Sequence, residues 1–133
     1  MTATIQVVAA VVEEHGRLLI TSRPEGVHLA GVWEFPGGKI AEQETHAAAL
    51  AREIREELDA GILVHQLVFA TTHDYPERTV SLYFYQCTLT SRPRPVLGQQ
   101  VRWVLPSELA DLEFPAADAE LIRMLTSRRP AEP

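Results

Sequence analysis

The sequence predicts a single α/β domain, and three features support this prediction. Short runs rich in apolar and β-branched residues, such as residues 5–12 and 79–90, have the length and composition of strands. Residues 45–58 and 115–125 instead carry apolar side chains at helical spacing. The chain has 133 residues, 46% of them hydrophobic, which is enough for one core and indicates one domain over residues 1–133.

In the first half of the chain, a hairpin precedes a loop and a long helix. His15 and Gly16 form the turn of this hairpin. Thr45 is a suitable N-cap, because a threonine hydroxyl accepts a hydrogen bond from the first turn of a helix. The predicted elements are a strand over 5–12, a returning strand over 17–23, a loop over 24–32, an entry segment over 33–40 and a helix ending near Leu58.

In the second half, another hairpin is followed by a surface loop and a terminal helix. Its turn lies at residues 74–78, and Pro115 marks the start of the last helix. The predicted elements are strands over 63–73, 79–90 and 101–105, a loop over 92–98, a helical turn over 106–109, a helix from about 115 and a frayed tail over 128–133. Core packing is expected for Leu121, Ile122, Met124 and Leu125.

Composition and charge argue against several classes of protein. The net charge of −6 is unlike that of a surface that binds nucleic acid polymers, which is normally basic. The apolar run at 7–12 is too short to span a membrane and no basic leader precedes it, so we expect a cytoplasmic protein without a membrane partner. Cys87 has no partner for an internal disulfide and is expected to be a small buried hydrophobe. The residues do not separate a monomer from a homodimer.

Three carboxylates share one face of the first predicted helix. At about 100° per residue, Glu53, Glu56 and Glu57 fall within roughly 100° of one another, and charges of like sign so close repel. A hard divalent cation such as Mg²⁺ takes oxygen ligands and turns this repulsion into coordination. A short charge run is also common on a solvated helix face. An apolar stripe beside the glutamates would pin this helix against a core, and its members are Ala47, Leu50, Ala51, Ile54 and Leu58.

The spacing of six residues favours the metal site over the solvated face. They are Gly38, Glu44, Arg52, Glu53, Glu56 and Glu57. With this spacing, the segment over about 38–60 resembles the Nudix box, G-x5-E-x7-R-E-U-x-E-E-x-G-U, in which U is a bulky apolar residue. Asp59 replaces the second glycine of the box and Ala60 its last apolar residue. Because Asp59 tolerates the left-handed conformation and Gly61 offers another stop, we expect a slightly shifted helix end and an intact site.

The likeness covers nearly the whole chain and is closest to the nucleoside triphosphate pyrophosphohydrolases of the MutT type. Outside the box it rests on Arg23, His28, WEFPGGKI over 33–40, YPER over 75–78 and FPAAD over 114–118. The resemblance implies the Nudix fold. In that fold a mixed β-sheet is sandwiched between α-helices, and the box forms a loop, a helix and a loop.

The resemblance also implies the chemistry of the box. Mg²⁺, or Mn²⁺ in its place, would bridge phosphate oxygens and activate a water for in-line attack at phosphorus. Glu56 and Glu57 are the expected metal ligands, joined by a backbone carbonyl of Gly37 or Gly38. Glu53 is expected to bind a metal ion and to act as the base.

Three further residues have supporting roles in this interpretation. Arg52 would pair with a neighbouring carboxylate and hold its rotamer. Glu44, at the helix entrance, would ligate the metal or stabilise the loop. Lys39 would contact phosphate.

One departure from the MutT type concerns the loop before the late strand. MutT-type enzymes carry a further metal-binding glutamate there, whereas the sequence here has no acid between Pro93 and Trp103. Gln99 or Gln100 would offer an amide oxygen or hold a water, and neither is a charged ligand or a strong base. This departure favours Glu53 as the base.

The resemblance places a nucleotide pocket beside the box. Its expected lining residues are Arg23, His28, Phe35, Arg78 and Asp118. Arg23 and Arg78 can donate hydrogen bonds to phosphate or base. Asp118 stands where the MutT pattern has Asn. An ionised Asp118 only accepts hydrogen bonds, so it favours base edges with N–H donors, which guanine and cytosine both have.

The leading hypothesis is Mg²⁺-dependent hydrolysis of a nucleoside triphosphate to the monophosphate and pyrophosphate. Its substrate would be 8-oxo-dGTP, and its purpose the sanitation of the nucleotide pool, a form of DNA repair. The alternative is the same reaction on CTP, dCTP or 5-methyl-dCTP, which Asp118 would favour. ADP-ribose hydrolysis stays open, because Pro76 is compatible with both groups of enzymes. A catalytically silent Nudix domain would instead bind a nucleotide as a regulator, although such members usually lose the glutamates present here.

Overall fold

The computed structural model describes residues 4–23 and 31–127. The strands within these ranges are β1 (Thr4–Glu14), β2 (Arg17–Ser22), β3 (Trp33–Glu34), β4 (Gly37–Lys39), β5 (Ile62–Asp74), β6 (Thr79–Leu89) and β7 (Val101–Val104). The helices are α1 (His46–Leu58) and α2 (Ala119–Ser127), with 3₁₀ segments at Pro106–Asp111 and Ala116–Asp118. His28, most of the loop predicted over 24–32 and the tail predicted over 128–133 lie outside the described residues.

β1 is the central strand of the sheet. It pairs in parallel with β6 and antiparallel with β2 and β4. β2 pairs antiparallel with β3 and β7, and β6 pairs antiparallel with β5. The order along the sheet is β3-β2-β1-β6-β5, so the sheet is mixed, as the resemblance implied.

The core has two layers, one on each face of this sheet. Successive side chains of a strand point to opposite faces. Val8 and Ala10 accordingly pack in the layer that contains the buried residues of α1, whereas Ala9 and Val11 pack in the layer that contains those of α2. Cys87 is buried in the α1 layer, as predicted. The sheet is therefore sandwiched between the two helices.

The predicted hairpin turn is confirmed. His15 and Gly16 both have positive φ, 53° and 76°. A two-residue hairpin loop of this type requires positive φ at both positions, because only then does its twist match that of the strands. The turn sets β2 beside β1 at the edge where β3 and β7 add on.

The terminal helix differs from the prediction in its start and at one core residue. α2 begins at Ala119, and the 3₁₀ segment Ala116–Asp118 takes the place of the first turn predicted from about 115. Leu121 and Leu125 are fully buried and Ile122 is partly buried, whereas Met124 is 43% exposed. The prediction for Met124 is wrong because the buried stripe of α2 runs through Leu121 and Leu125, and Met124 lies on its solvent side. None of the helices in the described part of the chain is long and apolar enough to cross a membrane.

Candidate active site

Local sequence sets both ends of α1, the helix that carries the glutamates. The Thr45 hydroxyl accepts a hydrogen bond from the Ala48 N–H at 3.1 Å, as predicted for the N-cap. Asp59 ends the helix in the left-handed conformation, with φ 49° and ψ 41°. The predicted shift of the helix end is therefore wrong, because Asp59 itself takes the conformation of the missing glycine. Arg94 donates to the Asp59 carboxylate at 2.5 Å.

Arg52 collects the carboxylates on one side of α1. Its guanidinium donates to both oxygens of Glu44 at 2.7 and 2.9 Å, to Glu53 at 2.9 Å and to Glu56 at 3.3 Å. It also donates to the Lys39 carbonyl at 3.0 Å. The hydrogen bond from Arg52 is the main cause that lowers the pKa of Glu44 to about 2. The structure thus pairs Arg52 with neighbouring carboxylates of the helix, as the sequence predicted for one of them. It also pairs Arg52 with Glu44, which the sequence did not predict, and so ties α1 to the loop before it.

Glu57 has different surroundings from the other glutamates of the helix. Burial is the main cause that raises its pKa to about 8, and the charges of Glu34 and Glu53 act in the same direction. A hydrogen bond from the Gly37 N–H and the charge of Arg23 oppose this rise. The Glu57 carboxylate is therefore a group to which a nearby cation would add stability.

Gly37 and Gly38 allow close approach of the backbone, as predicted. A Cβ on Gly37 would overlap the backbone of Val8 and Ala9 in β1, with which β4 pairs. A Cβ on Gly38 would overlap the Glu53 carboxylate. Gly37 requires glycine because the backbone of β1 cannot shift without disturbing the sheet, whereas a side chain at position 38 would displace the end of the Glu53 side chain from its present place.

The donor groups at this site suit a hard divalent cation. Carboxylate oxygens of Glu53, Glu56 and Glu57 and the backbone of Gly38 are the oxygen ligands that Mg²⁺ prefers. Within residues 4–23 and 31–127, no three acidic, His or Cys side chains converge into a ready-made metal cage. Glu53 and Glu56 are instead held by Arg52. The chemistry of the donors fits Mg²⁺, and the metal role of the box stays a prediction.

A cleft of about 520 Å³ lies beside α1. The predicted site residues that line it are Arg23, Phe35, Gly37, Gly38, Lys39, Glu57, Arg78 and Asp118. The lining does not include the predicted residues Glu44, Arg52, Glu53 and Glu56. One cleft therefore joins the last glutamate of the box to the predicted nucleotide pocket.

Aromatic side chains form the floor of this cleft. Phe35 is 4% exposed and meets Phe84 edge to face, with 5.9 Å between the ring centroids. Its ring also lies 5.5 Å from that of Phe114. Because Phe35 is part of the core, it gives the cleft a rigid apolar surface.

Two further carboxyl groups, those of Asp118 and Glu34, line the cleft. Asp118 is 5% exposed, and burial together with the charge of Glu34 raises its pKa to about 7. Glu34 accepts a hydrogen bond from Arg23 at 2.9 Å, which lowers the pKa of Glu34. Burial has the larger effect and raises this pKa. The two acids therefore influence each other's charge.

Sequence reasoning did not identify Glu34 as a site residue. The signal was present, because Glu34 is a lone charge within the apolar run from Val32 to Phe35. A charged residue in such a run is buried only with a partner, and here the partner is Arg23.

Gln99 has a structural role that the sequence did not show. It is 7% exposed, its Nε2 donates to the Glu57 carbonyl at 2.8 Å, and its Oε1 accepts from the Leu97 N–H at 2.8 Å. The backbone thus engages both ends of the Gln99 amide, and the expectation that Gln99 or Gln100 offers an amide oxygen or holds a water stays a prediction. The Arg94 N–H also donates to the Leu58 carbonyl at 2.7 Å, so this surface loop caps the end of α1.

Comparison with known proteins agrees with this geometry. The family described as NUDIX domain matches residues 7–124. An 8-oxo-dGTP diphosphatase of Haemophilus influenzae is 37% identical, over 91% of this chain and 90% of its own length. A CTP pyrophosphohydrolase of Escherichia coli is 32% identical, over 97% and 96%. The solution structure of the E. coli ORF135 protein superposes with a TM-score of 0.83 at 31% identity, over 98% of this chain and 96% of that one.

Proposed function

Because the chain belongs to the NUDIX domain family, we propose that it is a Mg²⁺-dependent pyrophosphohydrolase that cleaves 8-oxo-dGTP to the monophosphate and pyrophosphate. One observation carries this proposal. Glu57 of the box and the buried Asp118 line the same cleft, so a base held near Asp118 would have its phosphates near the box. The purpose of such a reaction is sanitation of the nucleotide pool.

The cationic side chains of the cleft support a triphosphate as the ligand. Lys39 lies at the end of β4, within the box, and Arg78 lies in the turn between β5 and β6. With a net charge of −6, the protein depends on such local cations and on metal to bind a polyanion. Lys39 and Arg78 are the groups proposed to contact phosphate oxygens.

The residues of the box have different proposed roles in the reaction. When bound, Mg²⁺ would neutralise phosphate charge and activate a water. Glu53, Glu56 and Glu57 would hold it together with the Gly38 backbone. Arg52 fixes the Glu53 carboxylate at 2.9 Å, which orients a Glu53 oxygen to accept the proton of the attacking water.

The protonation of Asp118 supports 8-oxo-guanine as the base. A neutral carboxyl group has one O–H donor and one carbonyl acceptor, the same pair that an Asn amide offers. 8-Oxo-guanine presents an O6 acceptor next to an N7–H donor, whereas both O6 and N7 of guanine are acceptors. With a pKa of about 7, Asp118 can be neutral near neutral pH. Asp118 is therefore not restricted to the acceptor-only form that an ionised carboxylate has.

A cytidine nucleotide is the second candidate, and a specific observation favours it. The CTP pyrophosphohydrolase relative matches this chain over 97% of its length. An ionised Asp118 would accept a hydrogen bond from the N4 amino group of cytosine. The two candidates therefore differ in the protonation state of one carboxyl group.

The test is kcat/KM for 8-oxo-dGTP, dGTP, CTP, 5-methyl-dCTP and ADP-ribose with Mg²⁺ at pH 6 and pH 8. The ratio of kcat/KM between two nucleotides at one pH cancels the effects of pH on the metal and on the phosphates, because both substrates share them. We expect 8-oxo-dGTP to be preferred over dGTP, more strongly at pH 6 than at pH 8. The Asp118→Asn variant is the matched control, and its preference should not depend on pH.

Preference for a cytidine nucleotide that rises with pH would replace the first candidate with the second. Failure to cleave any triphosphate with Mg²⁺ or Mn²⁺ would overturn both. The groups that line the cleft and can influence the titration of Asp118 are Arg23, Glu34, Lys39, Glu57, Tyr75, Glu77 and Arg78.

A further inference from the structure

We infer that Tyr75 is a positioning residue for base recognition, because its hydroxyl holds the 3₁₀ segment that carries Asp118. Tyr75 lies in the turn between β5 and β6, 42 residues away from that segment in sequence. The kinetic test of this inference rests on the proposed function. The test by hydrogen exchange does not.

The contact that carries the inference is a single hydrogen bond. The Ala117 N–H donates to the Tyr75 Oη at 3.2 Å. The first N–H groups of a helical segment have no partner within the segment. Tyr75 supplies the acceptor for one of them, and Asp118 is the next residue along the chain. The hydroxyl therefore restrains the backbone from which the base-reading carboxyl group projects.

The backbone of Tyr75 is itself held in place. Its N–H donates to the Arg78 carbonyl at 2.8 Å, and the Arg78 N–H donates back to the Tyr75 carbonyl at 3.3 Å. Its ring lies 4.5 Å from that of His73. Tyr75 is thus fixed next to Arg78 by its backbone and next to Asp118 by its hydroxyl, and all three residues line the cleft.

A packing role alone would involve only the ring. Tyr75 is partly buried against the core layer that contains α2, and a phenylalanine would keep that contact. Removing only the hydroxyl group therefore tests the positioning role of Tyr75 and leaves its packing unchanged. Tyr75→Phe is therefore the informative variant.

The matched control removes a hydroxyl group elsewhere. Tyr85 is bonded through its hydroxyl to His46 Nδ1 at 2.7 Å, on the face of the sheet that packs against α1. It does not line the cleft. Tyr85→Phe thus loses an equivalent hydrogen bond with no link to Asp118.

The substrate experiment compares the two variants with the wild type. In Tyr75→Phe we expect the ratio of kcat/KM between the preferred and the poorest nucleotide of the panel to fall between about twofold and tenfold, the effect of one lost hydrogen bond. This fall should come mainly from a raised KM for the preferred nucleotide, with kcat nearly unchanged. Tyr85→Phe should keep the wild-type ratio.

The structural experiment needs no substrate. Hydrogen exchange of the Ala117 amide, measured by NMR, should be faster in Tyr75→Phe than in the wild type and unchanged in Tyr85→Phe. Unchanged Ala117 exchange in Tyr75→Phe would overturn the inference, as would faster exchange with an unchanged nucleotide ratio. If the wild type cleaves no nucleotide, the proposed function fails, and the Ala117 exchange alone decides whether Tyr75 restrains the segment.

Discussion

Carboxyl groups occur in two contrasting environments beside the cleft. At α1 and the loop before it, Glu44, Glu53 and Glu56 all accept hydrogen bonds from Arg52. In the cleft, Asp118 is buried near another acid, Glu34. The pKa of Glu44 is about 2, whereas that of Asp118 is about 7.

The contrast shows that the neighbours, and not the type of residue, decide what a carboxyl group can do. The Arg52 guanidinium fixes the rotamers of its carboxylate partners, which suits a metal ligand or a base. It lowers the pKa of Glu44, whereas burial raises the pKa of Glu53 in spite of the same pairing. Burial without a close cation favours the proton, so the group can donate as well as accept a hydrogen bond. Glu57 lies between the two environments, since it belongs to α1 but lines the cleft.

The largest effect is expected from Glu57→Gln. If Glu57 binds the metal as proposed, replacing its carboxylate with a neutral amide should lower kcat by about 100-fold or more, because the metal would then stabilise less of the transition-state charge. The fold should be retained, since glutamine has the same shape and the helix keeps its cap and apolar face. Steady-state kinetics with Mg²⁺ and circular dichroism would test both points. Exposed Glu42 gives the control Glu42→Gln, which should keep wild-type kcat, and an active Glu57→Gln would contradict the metal assignment.

Arg52→Lys should have the next largest effect. Lysine cannot reproduce the forked contacts with Glu44 and Glu53, so kcat/KM should fall about 10-fold to 100-fold. Glu44 has a lowered pKa, so its pairing with Arg52 adds stability above the usual Glu pKa, and that stability is lost as pH falls toward about 2. The loss of Tm in Arg52→Lys should therefore be larger at pH 7 than at pH 3, in a thermal melt at each pH. An equal loss at both values would show that the charges of this network are unimportant.

Asp118→Asn should stabilise the protein in a pH-dependent way. The pKa of Asp118 rises from 3.8 to about 7 on folding, so the folded state holds an extra proton between these values and stability is lost as pH rises through them. Asparagine has no charge to bury. The gain in free energy of unfolding should grow from pH 5 to pH 8, where it should be on the order of a few kcal/mol. Urea unfolding at both pH values would measure this gain. Asp111 is exposed, so Asp111→Asn is the control. A gain independent of pH would show that Asp118 does not keep its proton.

Gln99→Met should have the smallest effect of the four. It removes the amide that links the Leu97 N–H to the Glu57 carbonyl while keeping the side-chain length. The free energy of unfolding should fall by about 1–3 kcal/mol, because a buried backbone group loses its partner. The neighbouring Gln100 is exposed, so Gln100→Met should change little in the same urea titration. Similar values for the two variants would mean that the loop does not stabilise α1.

Local sequence was sufficient for the helix that carries the glutamates and for the first hairpin. Thr45 and Asp59 mark the ends of α1, and Leu50, Ile54 and Leu58 at helical spacing show which side faces the core. The prediction is wrong for Ala47 and Ala51, which are exposed, and Ala49 is buried instead. His15 and Gly16 accept positive φ. These features act between residues that are near in sequence, so a pattern of residue types records them.

The fixed spacing of the box also predicted that Arg52 and its glutamates lie together. It did not show that Glu57 would be separated from Glu56 and exposed to the cleft, because a helical wheel describes a face and not what packs against it. That depends on β3 and β4, which bring Glu34 and Gly37 to Glu57.

The residues that only the tertiary structure revealed act across long stretches of sequence. Tyr75 bonds to Ala117, Gln99 bonds to Glu57, and Glu34 shifts the pKa of Asp118. Each contact depends on the sheet bringing distant segments together, and a tyrosine, a glutamine or a glutamate has the same local pattern with or without its partner. Residue types and spacing therefore determine which groups are available to the site, whereas burial and long-range hydrogen bonds determine which of them are charged and where they are held.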